Sequence, residues 1–450
     1  MTKCDGHTYC NDQLGESYTD IWHDSGMRIL LCRKPMKTAY AMLGVGFGAL
    51  DTDYCLSGKT VHLPFGVAHY LEHRMFGNPD GRDATADFAA CGADVNAFTG
   101  YDKTAYLFST ATQFDDCLEK LLRFVTEPYF PAEAVDAERP IIAEEIRMSL
   151  DDPYEQGYAA QLRGLYAEGA IREDICGTLA SIGRITPEIL CDTYDAFYRP
   201  DELILCVCGD VTPEEVCKVA DRCMPAHTPK RERPVRLSAT KPNRHLSDVS
   251  IRMPVAKPIF NFALRLPDAD RASVPAAFAG RRRLLYRDTV LSVIAEALFS
   301  RAGTFYSGLL EEGLIRPGFS YGSTVLRDLS YLAVSGESDC VLEVYQRFCA
   351  YLENVRKNGI SKEDFERARR VMYADFVTAF DSTEDVASML FSAAVDGIGL
   401  FESLDMIERV TVSDANALLD RECLQENMQL TVVEPLADGE SEGIENGDTD

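Results

Sequence analysis

The chain has 450 residues, 46% of them hydrophobic and 26% charged. That excludes disorder of the whole and provides for roughly two to four domains with cores of their own. Its formal charge of -27 argues against nucleic acid or an anionic membrane surface as partner, because both require clustered Lys and Arg.

No apolar run reaches about 18 residues, and the start, Met1-Thr2-Lys3-Cys4-Asp5-Gly6-His7, lacks the basic-then-apolar plan of a secretory signal. A cytoplasmic protein is therefore expected. In chain order, residues 17–60 read as strands, with 27–32 and 39–47 as short apolar or alternating runs between turn residues. A helix is expected from Pro64, whose missing N–H costs nothing in a first turn, with Val67, Ala68, Leu71 and Met75 at helical intervals and a stop at 77–81. A short helix at 85–90, two strands at 95–99 and 104–109 around Gly100-Tyr101-Asp102, and an amphipathic helix at 113–125 follow. Pro131 opens a long helix that Pro140 should kink. Helices at 154–167 and 187–197 precede a buried strand at 202–208.

Residues 229–247, rich in Pro, Lys and Arg, form the candidate linker. Beyond it the plan recurs, with a strand at 259–266, a helix at 284–299, a strand at 331–334, helices at 341–355 and 362–380, and a last strand at 429–433. The expected fold class is α+β: two similar α/β-sandwich halves, each an antiparallel-rich sheet with helices packed on it, related by an ancient duplication. The domains expected are 1–228, the linker, 248–436, and a disordered acidic tail at 437–450. The 15 cysteines are scattered and none has C-x-x-C spacing. They read as reduced, mostly buried small hydrophobes, and a metal site built from cysteine is not expected.

The stretch that carries chemistry is His69-Tyr70-Leu71-Glu72-His73, in a chain with only 7 histidines. On a helix, positions i and i+4 share a face, so His69 and His73 can reach one metal ion, and Glu72 falls on that face too. Two neutral imidazoles and a carboxylate able to take a proton from water are the minimum equipment of zinc-assisted hydrolysis, here in the order H-x-x-E-H. The same pattern also fits an ordinary half-buried helix. A catalytic zinc needs a third protein ligand, which these five residues do not name.

Three separated blocks, Gly66-Val67-Ala68-His69-Tyr70-Leu71-Glu72-His73-Arg74-Met75-Phe76, Gly92-Ala93-Asp94-Val95-Asn96-Ala97-Phe98-Thr99 and Glu138-Arg139-Pro140-Ile141-Ile142-Ala143-Glu144-Glu145-Ile146, resemble the insulinase/pitrilysin family of metallopeptidases. The likeness is to the short two-domain kind that includes processing-peptidase subunits, and it runs over residues 17–435. It implies one Zn2+ per chain held by His69, His73 and Glu145, with Glu72 as the base acting on water. Glu138 would orient Glu145 or the water. Peptide substrate would pair as an added strand along Asn96, Ala97 and Phe98. Blocks at Gly177-Thr178-Leu179, Phe197-Tyr198-Arg199-Pro200 and Gly209-Asp210-Val211 resemble structural parts of the family's first domain.

The second half departs from the family. Where the family carries L-R-E-x-x-G-L-x-Y, whose Arg and Tyr hold substrate backbone, this chain has Gly308-Leu309-Leu310-Glu311-Glu312-Gly313-Leu314-Ile315-Arg316. Leu310 stands at the arginine, and Arg316 or Pro317 near the tyrosine. Tyr321 could stand in for the tyrosine only with a different local backbone, so the departure favours a heterodimer with a metal-free homologous subunit that supplies the Arg and Tyr over a homodimer using Arg301 or Tyr306. The implied activity is zinc-dependent endoproteolysis of short or unfolded peptides inside a clam-like chamber. The alternative is a non-catalytic scaffold or regulatory partner of a related peptidase.

Overall fold

The computed structural model describes residues 6–77, 84–225, 232–237, 240–267, 274–280, 282–327 and 329–437. Most of the turn expected at 77–81, and all but Ala437 of the expected acidic tail, lie outside the described residues. The first part of the chain runs β1 (His7–Asn11), β2 (Glu16–Trp22), β3 (Arg28–Arg33), β4 (Ala39–Val45), β5 (Asp53–Leu56), β6 (Lys59–His62), α1 (Val67–Met75), α2 (Ala84–Ala89), β7 (Ala93–Thr99), β8 (Thr104–Thr110), α3 (Phe114–Thr126) and α4 (Ala132–Asp151). Next come α5 (Pro153–Leu165), β9 (Tyr166–Glu168), α6 (Leu179–Ile182), α7 (Pro187–Phe197), β10 (Ile204–Gly209), α8 (Pro213–Cys223), β11 (Val235–Arg236), β12 (Lys241–Pro242), β13 (Val249–Met253) and β14 (Ile259–Arg265). The remainder is α9 (Arg282–Phe299), α10 (Thr304–Glu311), β15 (Ser320–Leu326), β16 (Leu329–Glu337), α11 (Val341–Asn358), α12 (Lys362–Thr378), α13 (Thr383–Val395), α14 (Leu400–Arg409), α15 (Val412–Glu422) and β17 (Met428–Pro435).

Two sheets organise these elements. One has strand order β1-β2-β3-β10-β4-β8-β7 and the other β13-β17-β14-β16-β15. The last five strands of the first match the second one for one: β3–β10 and β13–β17 are parallel, and every following pair is antiparallel. The α+β class with a repeated half is therefore visible as topology.

The halves are not cut at one point in the chain. The compact units are 1–146 with 173–239 and 373–404, and 147–172 with 240–372 and 405–450. The expected division into 1–228 and 248–436 thus differs by an exchange of segments, for a packing reason. In the first sheet Ile29, Leu31, Ala41, Leu43, Leu205 and Val207 face the main core. The opposite face, with Leu30, Met42 and Cys206, is also buried, and α13 packs on it against β4 and β10. At Gly44 a Cβ would stand 2.5 Å from Phe391 Cζ of α13 and 2.5 Å from the Thr104 carbonyl, so only glycine allows the helix this near. The second sheet is covered in the same way by α5, which packs on β13, β14 and β17 and comes close through Gly157, beside Asn261 and Val433.

Sheets buried on both faces read as unbroken apolar runs, which is why the strand at 202–208 shows no alternation. The same double burial hides α13: Val386, Ala387, Leu390, Phe391, Ala393 and Ala394 are all buried, leaving little polar face to mark a helical period. Residues 229–247, expected as a linker, supply β11, which joins the β5–β6 hairpin, and β12, which pairs with β9. Helix α4 contains Pro140 as expected.

The second unit closes around a buried ion pair. Arg287 is 1% and Glu422 6% exposed. Two parallel bonds join them, Nη1 to Oε1 at 3.2 Å and Nη2 to Oε2 at 2.7 Å, while Arg287 also donates to Ser330 Oγ and the Pro267 carbonyl. Removing one partner leaves an uncompensated charge, at a cost of about 3–5 kcal/mol. Glu422→Ala should therefore lower unfolding free energy by about that much in urea titration; a loss below about 1 kcal/mol would show the pair to be dispensable.

Candidate metal and catalytic site

Helix α1 begins at Val67 rather than near Pro64. Gly66, with φ of +84°, precedes it in a left-handed conformation that other residues rarely adopt. Val67, Ala68, Tyr70, Leu71 and Met75 are buried, and His69 and His73 emerge one turn apart with ring centroids 4.5 Å from each other. In α4, Val135, Ile142 and Ile146 enter the core. Glu138 and Glu145 stand three residues after Val135 and Ile142, on the adjoining strip of the helix. The two helices are tied by Tyr70 Oη, which donates to the Val135 carbonyl at 2.5 Å, and by Arg74 Nη1, 2.8 Å from Glu138 Oε2.

The carboxylate of Glu145 thus reaches both histidines. Its Oε2 lies 3.7 Å from His69 Nε2 and 3.4 Å from His73 Nε2. Optimal N–H···O bonds are nearer about 2.9 Å. Around an ion with bonds of about 2.0–2.2 Å, tetrahedral neighbours stand about 3.3–3.5 Å apart. The observed separations match ligand spacing better than hydrogen bonding, and two imidazoles with a carboxylate are a zinc donor set. Each imidazole of the H-x-x-E-H pattern thus stands near ligand spacing from the same Glu145 oxygen, the donor set that the pattern implies for an ion.

The three carboxylates differ in their neighbours. Glu138 faces His73 and Arg74, not Glu145: its Oε1 is 3.1 Å from His73 Nδ1. A carboxylate only accepts, so Nδ1 carries the proton and Nε2 is turned to the site. The contact with His73 holds Glu138 below the usual carboxylate range despite burial, with Arg74 adding to the effect. Burial disfavours the charged form of His73, but Glu138, Glu145 and Glu72 outweigh it and raise its pKa. Metal binding at His73 therefore competes with a proton. Glu72 is 8% exposed and accepts from Thr99 Oγ1 at 2.8 Å. Burial raises its pKa, offset in part by Thr99 and His73. Burial, and then the charge of His73, push His69 down to about 4, so its imidazole is neutral near pH 7.

Beside Glu72 and His73 lies a cavity of about 680 Å³, lined among others by Val95, Asn96, Ala97, Tyr129 and Ile141. Strand β7 is terminal in its sheet. Asn96 and Phe98 are exposed and Ala97 is half-buried, and the strand ends at Thr99, the residue that holds Glu72.

In the second unit the tyrosine candidates are already engaged. Tyr306 is buried against Phe319, and Tyr321 Oη donates to Glu296 Oε2 at 2.6 Å. Arg301 and Leu310 are exposed.

Sequence reasoning missed Thr99, Arg74 and Cys176. Thr99 closes the N-A-x-T block and Arg74 follows His73, so position in a motif was the available signal for both. Cys176 precedes the Gly177-Thr178 block, whose family likeness is structural, so no signal in the sequence singles it out. Its Sγ lies 3.8 Å from His69 Nε2, and the donor atoms of His69, Glu145 and Cys176 all lie within 4.8 Å of one another.

Residues 62–167 match the family described as Insulinase (Peptidase family M16), and residues 184–372 match the Peptidase M16 inactive domain. The chain is 29% identical over 430 residues to YmfH of Bacillus subtilis, an uncharacterized zinc protease, covering 94% of this chain and 98% of that one. It is 24% identical over 454 residues to SCO5738 of Streptomyces coelicolor, also an uncharacterized zinc protease, covering 92% and 88%. Among solved structures it is similar to a putative M16-like peptidase from Alicyclobacillus acidocaldarius, with a TM-score of 0.86, 28% identity and coverage of 94% and 99%. A protease from Helicobacter pylori shares the fold at a TM-score of 0.78 and 16% identity, covering 93% and 99%.

Two outcomes follow from this geometry. Unfolded histidine titrates near 6.5 and folded His69 only at about 4. As the pH falls through that window, the unfolded chain takes the proton first and stability drops. In metal-stripped protein His69 should account for about 3 kcal/mol of the loss between pH 7 and pH 4; a His69→Asn variant with an unchanged pH dependence in urea would contradict this. Glu138→Gln should weaken zinc binding by about 10- to 100-fold in chelator competition by loosening the hold on His73, and an unaltered affinity would remove Glu138 from that role.

Proposed function

The chain belongs to the insulinase (M16) family of peptidases, and from that premise we propose that it is a zinc-dependent endopeptidase whose ion is held by His69, His73 and Glu145. The observation that carries the reading is the approach of Glu145 Oε2 to both imidazoles across α1 and α4. Zinc, when bound, supplies Lewis acidity, making a water acidic enough to react near pH 7 and polarising a carbonyl.

The chain's own groups do the rest. Glu72, raised in pKa by burial and held by Thr99, takes the proton from the attacking water and returns it to the leaving amine. An extended peptide adds to the edge of β7 through main-chain bonds that suit any sequence, with Asn96, Ala97 and Phe98 alongside it. A peptide in that register is led toward Glu72, because the strand ends at Thr99. The neighbouring cavity receives a side chain of the substrate.

Substrate is accordingly short or unfolded peptide, enclosed in a chamber that this subunit forms with a second one. The engagement of Tyr306 and Tyr321 and the leucine at position 310 favour a partner that supplies an Arg and a Tyr, a metal-free homologous chain, over a self-sufficient homodimer. The cytoplasm is the compartment that suits its free cysteines. The rival reading, a non-catalytic scaffold, leaves Glu72 and Glu145 without a task.

Peptide cleavage should stop with chelator and return with zinc. Glu72→Gln should retain zinc by elemental analysis and lose turnover by at least about 100-fold, whereas Glu145→Gln should lose the metal itself. Zinc-independent cleavage, or appreciable turnover by Glu72→Gln, would defeat the mechanism.

A further inference from the structure

Cys176 reaches the site through backbone interlock rather than by chance exposure. It sits in a turn in which the Cys176 N–H donates to Asp174 Oδ1 at 2.7 Å and the Gly177 N–H to the Asp174 carbonyl at 2.8 Å. The next residues are anchored to the entry of α1. Thr178 and Ser181 cap α6 reciprocally, and Ser181 Oγ donates to the Phe65 carbonyl at 2.8 Å. Gly177, with φ of +80°, passes so near that a Cβ would stand 2.6 Å from that carbonyl. Gly66 leaves no room for a Cβ either, because the Cys176 carbonyl is in the way. Two left-handed glycines therefore lock the 174–177 turn against the start of α1, and His69 is in the first turn of that helix.

The result is a third kind of donor on the imidazole that Glu145 also approaches. Around an ion with a nitrogen at about 2.0–2.1 Å and a sulfur at about 2.3 Å, the two atoms stand about 3.5–3.6 Å apart in a tetrahedron. Cys176 Sγ and His69 Nε2 are 3.8 Å apart. The His69, Glu145 and Cys176 donors form one compact triangle, with His73 joined to it through Glu145.

We propose that Cys176 is a fourth protein ligand of the metal in the resting protein, occupying the position that a reacting water needs and keeping the site closed until the sulfur is displaced. This rests on the zinc centre proposed above. Coordination breaks the S–H bond, forms a sulfur–metal bond and sends one proton to solvent. A closed set of four protein ligands is what distinguishes structural zinc from catalytic zinc. A single thiol at the rim therefore gives this peptidase a latent state, released by whatever takes the sulfur away from the ion.

Cobalt tests this directly, because thiolate coordination gives Co(II) a near-ultraviolet charge-transfer band that nitrogen and oxygen ligands do not. Metal-stripped full-length protein is loaded with one cobalt per chain, alongside Cys176→Ser and Cys176→Ala. The band is expected in the unaltered protein and absent from Cys176→Ala, with native near-ultraviolet circular dichroism showing that the variant is folded. Zinc affinity of Cys176→Ala by chelator competition should fall at least about tenfold. A cobalt-loaded protein without the band, a band that persists in Cys176→Ala, or an unchanged zinc affinity would each overturn the assignment while leaving His69, His73 and Glu145 as the site. Failure of the unaltered protein to take up cobalt at all would overturn the metal centre, and Cys176 with it.

Discussion

The packing of α4 along α1 is the contact on which the rest of the site depends. Helix α1 offers two imidazoles, but both emerge on a strip whose neighbours are core residues, and neither has a metal-binding carboxylate on its own helix in reach of the same point. Val135, Ile142 and Ile146 seat α4 in the core, and the Tyr70 hydroxyl on the Val135 carbonyl fixes its height. With that height set, Glu138 meets His73 and Glu145 meets both rings. A shift of one residue along α4 would turn Glu145 by about 100° away from the histidines.

Three carboxylates within a small volume would repel one another if they shared one environment. They do not. Glu138 is committed to His73 and Arg74, which stabilise its charge. Glu72 is buried with one hydroxyl for company, which favours the form that carries a proton. Glu145, 38% exposed along its side chain, faces the imidazoles. Environment rather than residue type thus sets the three carboxylates apart, which is what the proposed division into orientation, proton transfer and ligation requires. The same logic explains why the two histidines differ: His69, more deeply buried, resists protonation, whereas His73 is drawn toward it by its acidic neighbours.

The repeated strand order shows what duplication supplied and what it did not. In the first sheet the connection from β4 to β7 carries α1 with His69 and His73. In the second sheet the corresponding connection, from β14 to β15, carries α9, where the buried charge is Arg287 and its partner is Glu422. One copy of the fold carries the His/Glu cluster on its crossover helix and the other a closed ion pair. The exchange of α5 and α13 between units follows from the same architecture, since a sheet buried on both faces needs a second layer and each unit takes it from the other part of the chain.

The sequence by itself determined the local geometry: 3.6 residues per turn places His69, Glu72 and His73 on one side of a helix and Glu138 two turns before Glu145, wherever those helices go. Alternation and apolar runs likewise marked eight strands, β3, β4, β7, β8, β10, β14, β16 and β17, to within a few residues, and family likeness pointed to Glu145. Only the tertiary structure decided which faces meet. Nothing local distinguishes Glu138 as a partner of His73 from Glu138 as a partner of Glu145, because the choice depends on how two helices more than sixty positions apart in the chain are set against each other. Nothing local marks α13 as the cover of the first sheet, because beyond Asp385 its less buried positions hold only Ser388, Met389, Ser392 and Val395, too weak a polar face to betray its period. Cys176 is the extreme case: its nearness to His69 comes from two glycine backbones pressed together across the fold, a contact that leaves no trace in composition, period or spacing.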